Sequence, residues 1–335
     1  MTEDTSVTLI SKQPVEAPDQ KPSSSERAAK SDLTVGLLAG LGAAFFYTVA
    51  NICLRRVVHC DPLWVAGVKA LPTVIVALPF LGARYFQSKP LLHSTKTFLP
   101  FVAISCLAQL FGNGLFQWAL GLLGLALAIP LTLGGVLIGS AVVGQMFLGE
   151  RVSRASVISI AVLVLSICVL STGAANASEV LHEQLAKAGR PSPLLTGVAI
   201  AAFCLAGFVF SILGATVRRV AKDGMPMSTI LVTSGLVGLL LLCAIALIQN
   251  PGLITSTTVR DWNSMMGAGL FNAIAFWLLT IALRRIRLLY VNALNVTQTA
   301  MAGVAGVVLF AEPTSPQLFI GIGLTVVGVF LMDRH

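Results

Sequence analysis

Charge is scarce in this chain. Only 11% of its 335 residues are charged, against roughly 25% in soluble domains. Hydrophobic residues make up 56%, and the mean hydropathy is +0.88. Histidine is scarcer still: His59, His93, His182 and His335 all fall in connectors or at the terminus. There is no HExxH, no phosphate-binding loop and no nucleophile–base pair at membrane depth, so an intramembrane enzyme is not the reading. The six cysteines are scattered singly with no CxxC, which argues against a disulfide framework or a metal site. No cofactor is expected. The net charge of +8 does not point to nucleic acid, because the basic residues sit in short connectors between apolar runs.

Long apolar runs are abundant. Ten candidate spans lie at about 33–54, 62–83, 98–120, 123–148, 153–173, 194–217, 227–248, 263–283, 287–310 and 316–333. Each approaches the ~20 residues that cross a bilayer, and each must be helical, since hydrocarbon offers no partner for free backbone groups. Pro72, Pro79 and Pro130 mark expected kinks in the second and fourth spans. Residues 1–31 are polar and rich in Ser and Pro with no apolar core. They read as a disordered tail, not a cleavable leader. With the N-terminus in the cytoplasm, sixteen Lys and Arg fall inside and five outside, and Lys69 within a span completes the 22. The positive-inside rule therefore places both termini in the cytoplasm, in a multi-pass protein of the plasma (inner) membrane. The connector 174–193 would lie outside.

The sequence also repeats. FGNGLFQW (111–118) has a counterpart in FNAIAFW (271–277), so that Asn113 precedes Trp118 as Asn272 precedes Trp277. LRRV (54–57) ends the first span and VRRV (217–220) the sixth. FLGE and LFAE end the fourth and ninth at Glu150 and Glu312. Beyond those glutamates, Ser159, Ala161 and Ser166 stand at the offsets of Gly321, Gly323 and Gly328. Two units of five spans, 32–173 and 194–335, follow. Five is odd, so the second unit enters the membrane from the opposite side. The expected fold is an all-α membrane protein of ten transmembrane helices, an inverted repeat of two five-helix units.

FLGERVSRASVISIAVLVL and, more closely, LFAEPTSPQLFIGIGLTVVGVFLM resemble the EamA-type branch of the drug/metabolite transporter superfamily over about 33–333. The resemblance implies a ten-helix bundle around a central cavity, with the last helix of each half outside it. It also implies that Glu150 and Glu312 are helix-end landmarks, not substrate ligands.

Polar residues inside the spans fall into stripes. Gln109, Asn113 and Gln117 recur every four residues, as do Tyr47 and Asn51; Asn292, Asn295 and Thr299 follow at steps of three and four. Lipid would leave such groups unsatisfied, so each stripe should face inward, to line a lumen or to bond neighbouring helices. Lys69 either anchors an anionic group or snorkels to the interface. Trp118 and Trp277 are interfacial anchors or stacking surfaces. Gly135 and Gly139 should let backbones approach closely. No Asp or Glu lies within a predicted span, which removes the usual carrier of proton or sodium coupling. The expectation is a secondary transporter of a small polar metabolite, facilitative or exchange-type, working by alternating access. Its cavity would be lined by Tyr47, Asn51, Lys69, Gln109, Asn113, Gln117, Trp118, Asn272, Trp277, Asn292, Asn295 and Thr299. The alternatives are a multidrug or amino-acid exporter of the same fold and a non-transporting sensor or scaffold. The implied partners are a solute and the lipid bilayer; a homodimer is left open.

Overall fold

The computed structural model describes residues 24–92, 94–123, 125–149, 153–185, 193–310 and 316–331 of the chain. Every regular element among these residues is helical. Helix α1 (Ser24–Arg55) begins seven residues before the end of the segment read as a tail. Asp61 caps α2 (Pro62–Val68), accepting from the Trp64 amide at 2.8 Å, and Pro62 occupies the first turn, where its missing N–H costs nothing. The chain is interrupted at Lys69–Ala70 before α3 (Leu71–Phe86). Pro72 explains the interruption, since it cannot donate and crowds the preceding turn.

Helix α4 (Thr95–Leu107) passes through a π-helical stretch, Ala108–Gly114, into α5 (Leu115–Leu123). Then come α6 (Leu125–Leu148), which stays helical across Pro130, α7 (Arg154–Leu185) and α8 (Pro193–Lys222). Gly224, at φ +89, ends α8 and reverses the chain, a backbone conformation that favours glycine. A second π-helical stretch, Gly238–Leu242, joins α9 (Met227–Val237) to α10 (Cys243–Gln249). After the short α11 (Leu253–Ser256), α12 (Val259–Arg285) opens with a capping box between Thr258 and Asp261. The expected ninth span is divided at Val296 into α13 (Leu288–Asn295) and α14 (Thr297–Phe310), and α15 (Pro316–Leu331) follows.

Seven of these segments are long and apolar enough to cross a bilayer: 31–55, 62–86, 95–123, 128–147, 197–222, 227–249 and 259–285. The apolar parts of α7 and α15, Arg154–Val169 and Phe319–Gly328, are shorter. The ninth region falls short because neither half, cut at Val296, spans alone. Leu38, Phe80, Leu99, Met146, Leu240 and Ile248 are all more than half exposed. An outer surface so apolar suits lipid and not water. The protein is an integral, multi-pass membrane protein.

Packing follows a matched pattern. Helix α1 lies along α12, and α8 lies along α4–α5. Helix α6 lies along α8, and α13 and α14 lie along α1. If α1 corresponds to α8, α4–α5 to α12 and α6 to α13–α14, each contact has its counterpart in the other half. The pairs α3–α9 and α7–α15 are their own counterparts. At the α6–α8 crossing the two backbones approach closely. A Cβ on Gly207 would strike the Thr132 carbonyl, and one on Gly135 the Cys204 carbonyl. Ser211 Oγ also donates to the Val136 carbonyl at 2.7 Å across this crossing.

Candidate functional site

The two π-helical stretches meet. Such stretches widen the turn, leave backbone groups without their usual partners, and occur often at functional sites. Gln109 stands in the first, and its Nε2 donates to the Ser234 carbonyl of α9 at 3.1 Å. A Cβ on Gly238, the first residue of the second stretch, would fall 2.8 Å from the Gln109 amide carbon. Asn113 Nδ2 donates to Gln109 Oε1 at 2.8 Å. Two members of the first polar stripe are therefore joined to each other and to the seam between the halves.

Gln117 is different. It is 2% exposed, and neither of its amide atoms has a protein partner. Asn295 Oδ1 and Thr299 Oγ1 are buried without a partner as well. They flank the interruption at Val296, where the turn is closed by Val296 N donating to the Ala293 carbonyl and Thr299 N to the Val296 carbonyl. Asn292 and Gln298 are buried beside them. Helix α13 packs on α1, which carries the half-buried Tyr47 and Asn51, and on α6, where Thr132 Oγ1 is again buried without a partner. An amide so placed costs about 1–3 kcal/mol unless water or a solute completes its hydrogen bonds.

Lys69 is buried, 6% exposed, in the interruption between α2 and α3. Its carbonyl sits where a Cβ on Gly269 of α12 would be, so α12 crosses the broken helix at close range. Trp277 meets Phe80 edge to face, with ring centroids 4.9 Å apart, in a seam with Ala77, Leu231 and Val232. Trp118 packs against the main hydrophobic core, and Asn272 is half-buried. Among the described residues, no hydrogen bond joins the three stripes to one another. Glu150 and Glu312 lie outside the described residues. A cleft lined by Tyr85, Phe86, Ser88, Lys89 and Pro90 at the end of α3 contains none of the expected site residues.

Sequence spacing did not anticipate one group. His59 and Cys60, between α1 and α2, meet Asp261 of α12, with His59 Nε2 3.1 Å from Asp261 Oδ1. Burial first, and then the carboxylates of Asp261 and Asp61, push the Cys60 thiol up. The adjacency of His59 and Cys60 is visible in the sequence, but nothing there brings Asp261 to them.

The connectors pair in two sets. Trp64 Nε1 donates to Thr257 Oγ1 at 3.0 Å, and Trp64 meets Trp262 edge to face at 5.6 Å, beside the His59–Asp261 pair. At the other end, Thr229 Oγ1 donates to the Leu91 carbonyl at 2.7 Å, Arg284 Nη2 to the Met225 carbonyl at 2.6 Å, and Arg285 Nε lies 3.7 Å from Asp32 Oδ1.

Known proteins agree with this architecture. A family model described as the EamA-like transporter family matches the chain twice, at residues 34–172 and 197–333. No curated protein matches it. A solved structure, described only as the crystal structure of a protein, has the same fold at 17% identity and a TM-score of 0.70. The match covers 89% of this chain and 96% of that one.

Proposed function

The chain belongs to the EamA-like transporter family, and from that premise we propose that it carries a small polar metabolite across the bilayer by alternating access. The moving parts are two five-helix units inserted in opposite senses, ten spans in all, with both termini in the cytoplasm. Exchanging the conformations of two inverted units turns an outward-facing cavity into an inward-facing one. The matched packing of the halves supports this reading, and so do the connector contacts. Every one of those contacts joins connectors that the positive-inside assignment puts on the same side.

One observation carries the cavity. Gln117, Asn295 and Thr299 hold buried polar atoms with no protein partner. In a bundle whose outer face is apolar, such atoms are retained where water or a polar solute meets them. Gln109 and Asn113 belong to the seam between the halves, and Lys69 adds a buried cation that favours neutral or anionic cargo. Tyr47, Asn51, Asn272 and Asn292 complete the lining, with Trp118 and Trp277 as its aromatic members. Transport is facilitative or exchange-type.

The test has two steps. A thermal-shift screen of the detergent-solubilised protein against neutral and anionic metabolites identifies a ligand, because binding to the folded state raises apparent stability. Proteoliposomes are then assayed for uptake of that ligand. A ligand that binds and crosses supports the reading. Binding without flux would leave a sensor.

A further inference from the structure

Three side chains of metal-binding type converge at the start of α12. One imidazole nitrogen of His59, Cys60 Sγ and one carboxylate oxygen of Asp261 all lie within 4.8 Å of one another. The two halves of the group come from sequence-distant elements, and each is anchored. Asp261 Oδ2 accepts from Thr258 Oγ1 at 2.6 Å and from Thr258 N at 3.3 Å. These bonds fix the carboxylate and leave Oδ1 turned toward His59. On the other side, Asp61 caps α2 directly after Cys60, and the Trp64–Trp262 contact packs the α2 start on the α12 start. Hydrogen bonds that orient a ligand in this way are the usual support of a metal centre.

The donor set selects the ion. One imidazole nitrogen, one thiolate sulfur and one carboxylate oxygen suit a borderline divalent ion such as Zn2+, and are a poor match for Mg2+ or Ca2+, which prefer oxygen throughout. The His59 side chain is 62% exposed, so an ion can enter from solvent and water can complete its coordination. A hydrogen-bonded pair accounts for His59 with Asp261, but not for the thiol held within reach of both.

We propose that His59, Cys60 and Asp261 form a binding site for a zinc-type divalent cation, which ties the α1–α2 connector to the start of α12. On binding, the Cys60 thiol gives its proton to solvent and the thiolate coordinates the ion. No transport step is involved, so the site stands or falls independently of the proposed function.

Co2+ is the probe, added to the purified full-length protein in detergent. The expected result is a thiolate-to-Co2+ charge-transfer absorption that saturates at equimolar metal, is displaced by Zn2+ and is unaffected by Mg2+. Cys60→Ser should abolish it although Cys53, Cys106, Cys168, Cys204 and Cys243 remain. His59→Ala, at a side chain 62% exposed, should weaken binding by about tenfold or more. Zn2+ should raise the thermal stability of the wild type and not that of Cys60→Ser. No absorption in the wild type, its persistence in Cys60→Ser, or unchanged affinity in His59→Ala would overturn the site.

Discussion

Ser159 stands to Gly328 as Gly321 stands to Ser166. Ser159 Oγ donates to the Gly328 carbonyl at 2.6 Å, and Ser166 Oγ donates to the Gly321 carbonyl at 2.7 Å. Within the sequence repeat, Ser159 corresponds to Gly321 and Ser166 to Gly328, so each residue pair is the other with the copies exchanged, although α7 supplies the donor in both. The earlier residue of α7 meets the later residue of α15, which means that the two helices run antiparallel. Equivalent helices that run antiparallel about such a pair are what an inverted repeat requires.

That contact leaves little room for added bulk. A Cβ on Gly328 would fall 2.6 Å from Leu163 Cγ. Gly328→Val should destabilise the α7–α15 seam by about 1–3 kcal/mol. Thermal unfolding in detergent reads this out, with Gly323→Ala, where a Cβ meets nothing within 4 Å, as the neutral control.

Two adjacent glycines should behave in opposite ways. A Cβ on Gly134 meets nothing within 4 Å, whereas one on Gly135 collides with the Cys204 carbonyl. Gly134→Ala is expected to be neutral or to stabilise by about 0.5–1 kcal/mol, since alanine favours helix. Gly135→Ala should force α6 and α8 apart and lower the melting temperature. Equal melting temperatures for the two variants would show that the crossing is looser than described.

Gln117→Leu removes a buried amide that has no protein partner. The fold should survive with unchanged or slightly raised stability, because an unsatisfied group is lost. Uptake of the identified solute should fall about tenfold or more, the scale of one lost polar contact of about 1.5 kcal/mol. Full uptake in a well-folded variant would remove Gln117 from the site.

Much of this architecture was legible in the sequence. Apolar length reports burial in lipid, so the main spans could be read directly, but their limits could not: α1 starts at Ser24 and α7 runs on to Leu185. Pro72 announced the interruption at Lys69–Ala70. The interruption at Val296 has no such signal: Asn295, Val296 and Thr297 are compatible with helix, and the turn is set by tertiary packing. The π-helical stretch Ala108–Gly114 was equally silent. A four-residue spacing assumes a regular helix, so the pattern of Gln109, Asn113 and Gln117 did not foretell that Gln109 and Asn113 bond each other while Gln117 stays unpaired. The meeting of His59 with Asp261 depends on which helices pack together, and spacing within one segment does not encode that.

Among the described residues, Asp32 and Asp261 stand at the ends of the segments 31–55 and 259–285 and no carboxylate lies deeper in a span, which has a consequence for energetics. Uptake into proteoliposomes should run down the solute gradient or by exchange, and should not change when a proton gradient is imposed. Accumulation that scales with the gradient would require a coupling group at a helix end, with Glu150 and Glu312 as the residues to substitute first.

The central claim is that equivalent positions of the two copies lie on opposite sides of the membrane. Glu150→Cys and Glu312→Cys, each introduced singly on a background without the native cysteines, test it most directly with a membrane-impermeant thiol reagent on intact cells. Position 312 should label from outside, and position 150 only after permeabilisation. Labelling of both from the same side would contradict the account.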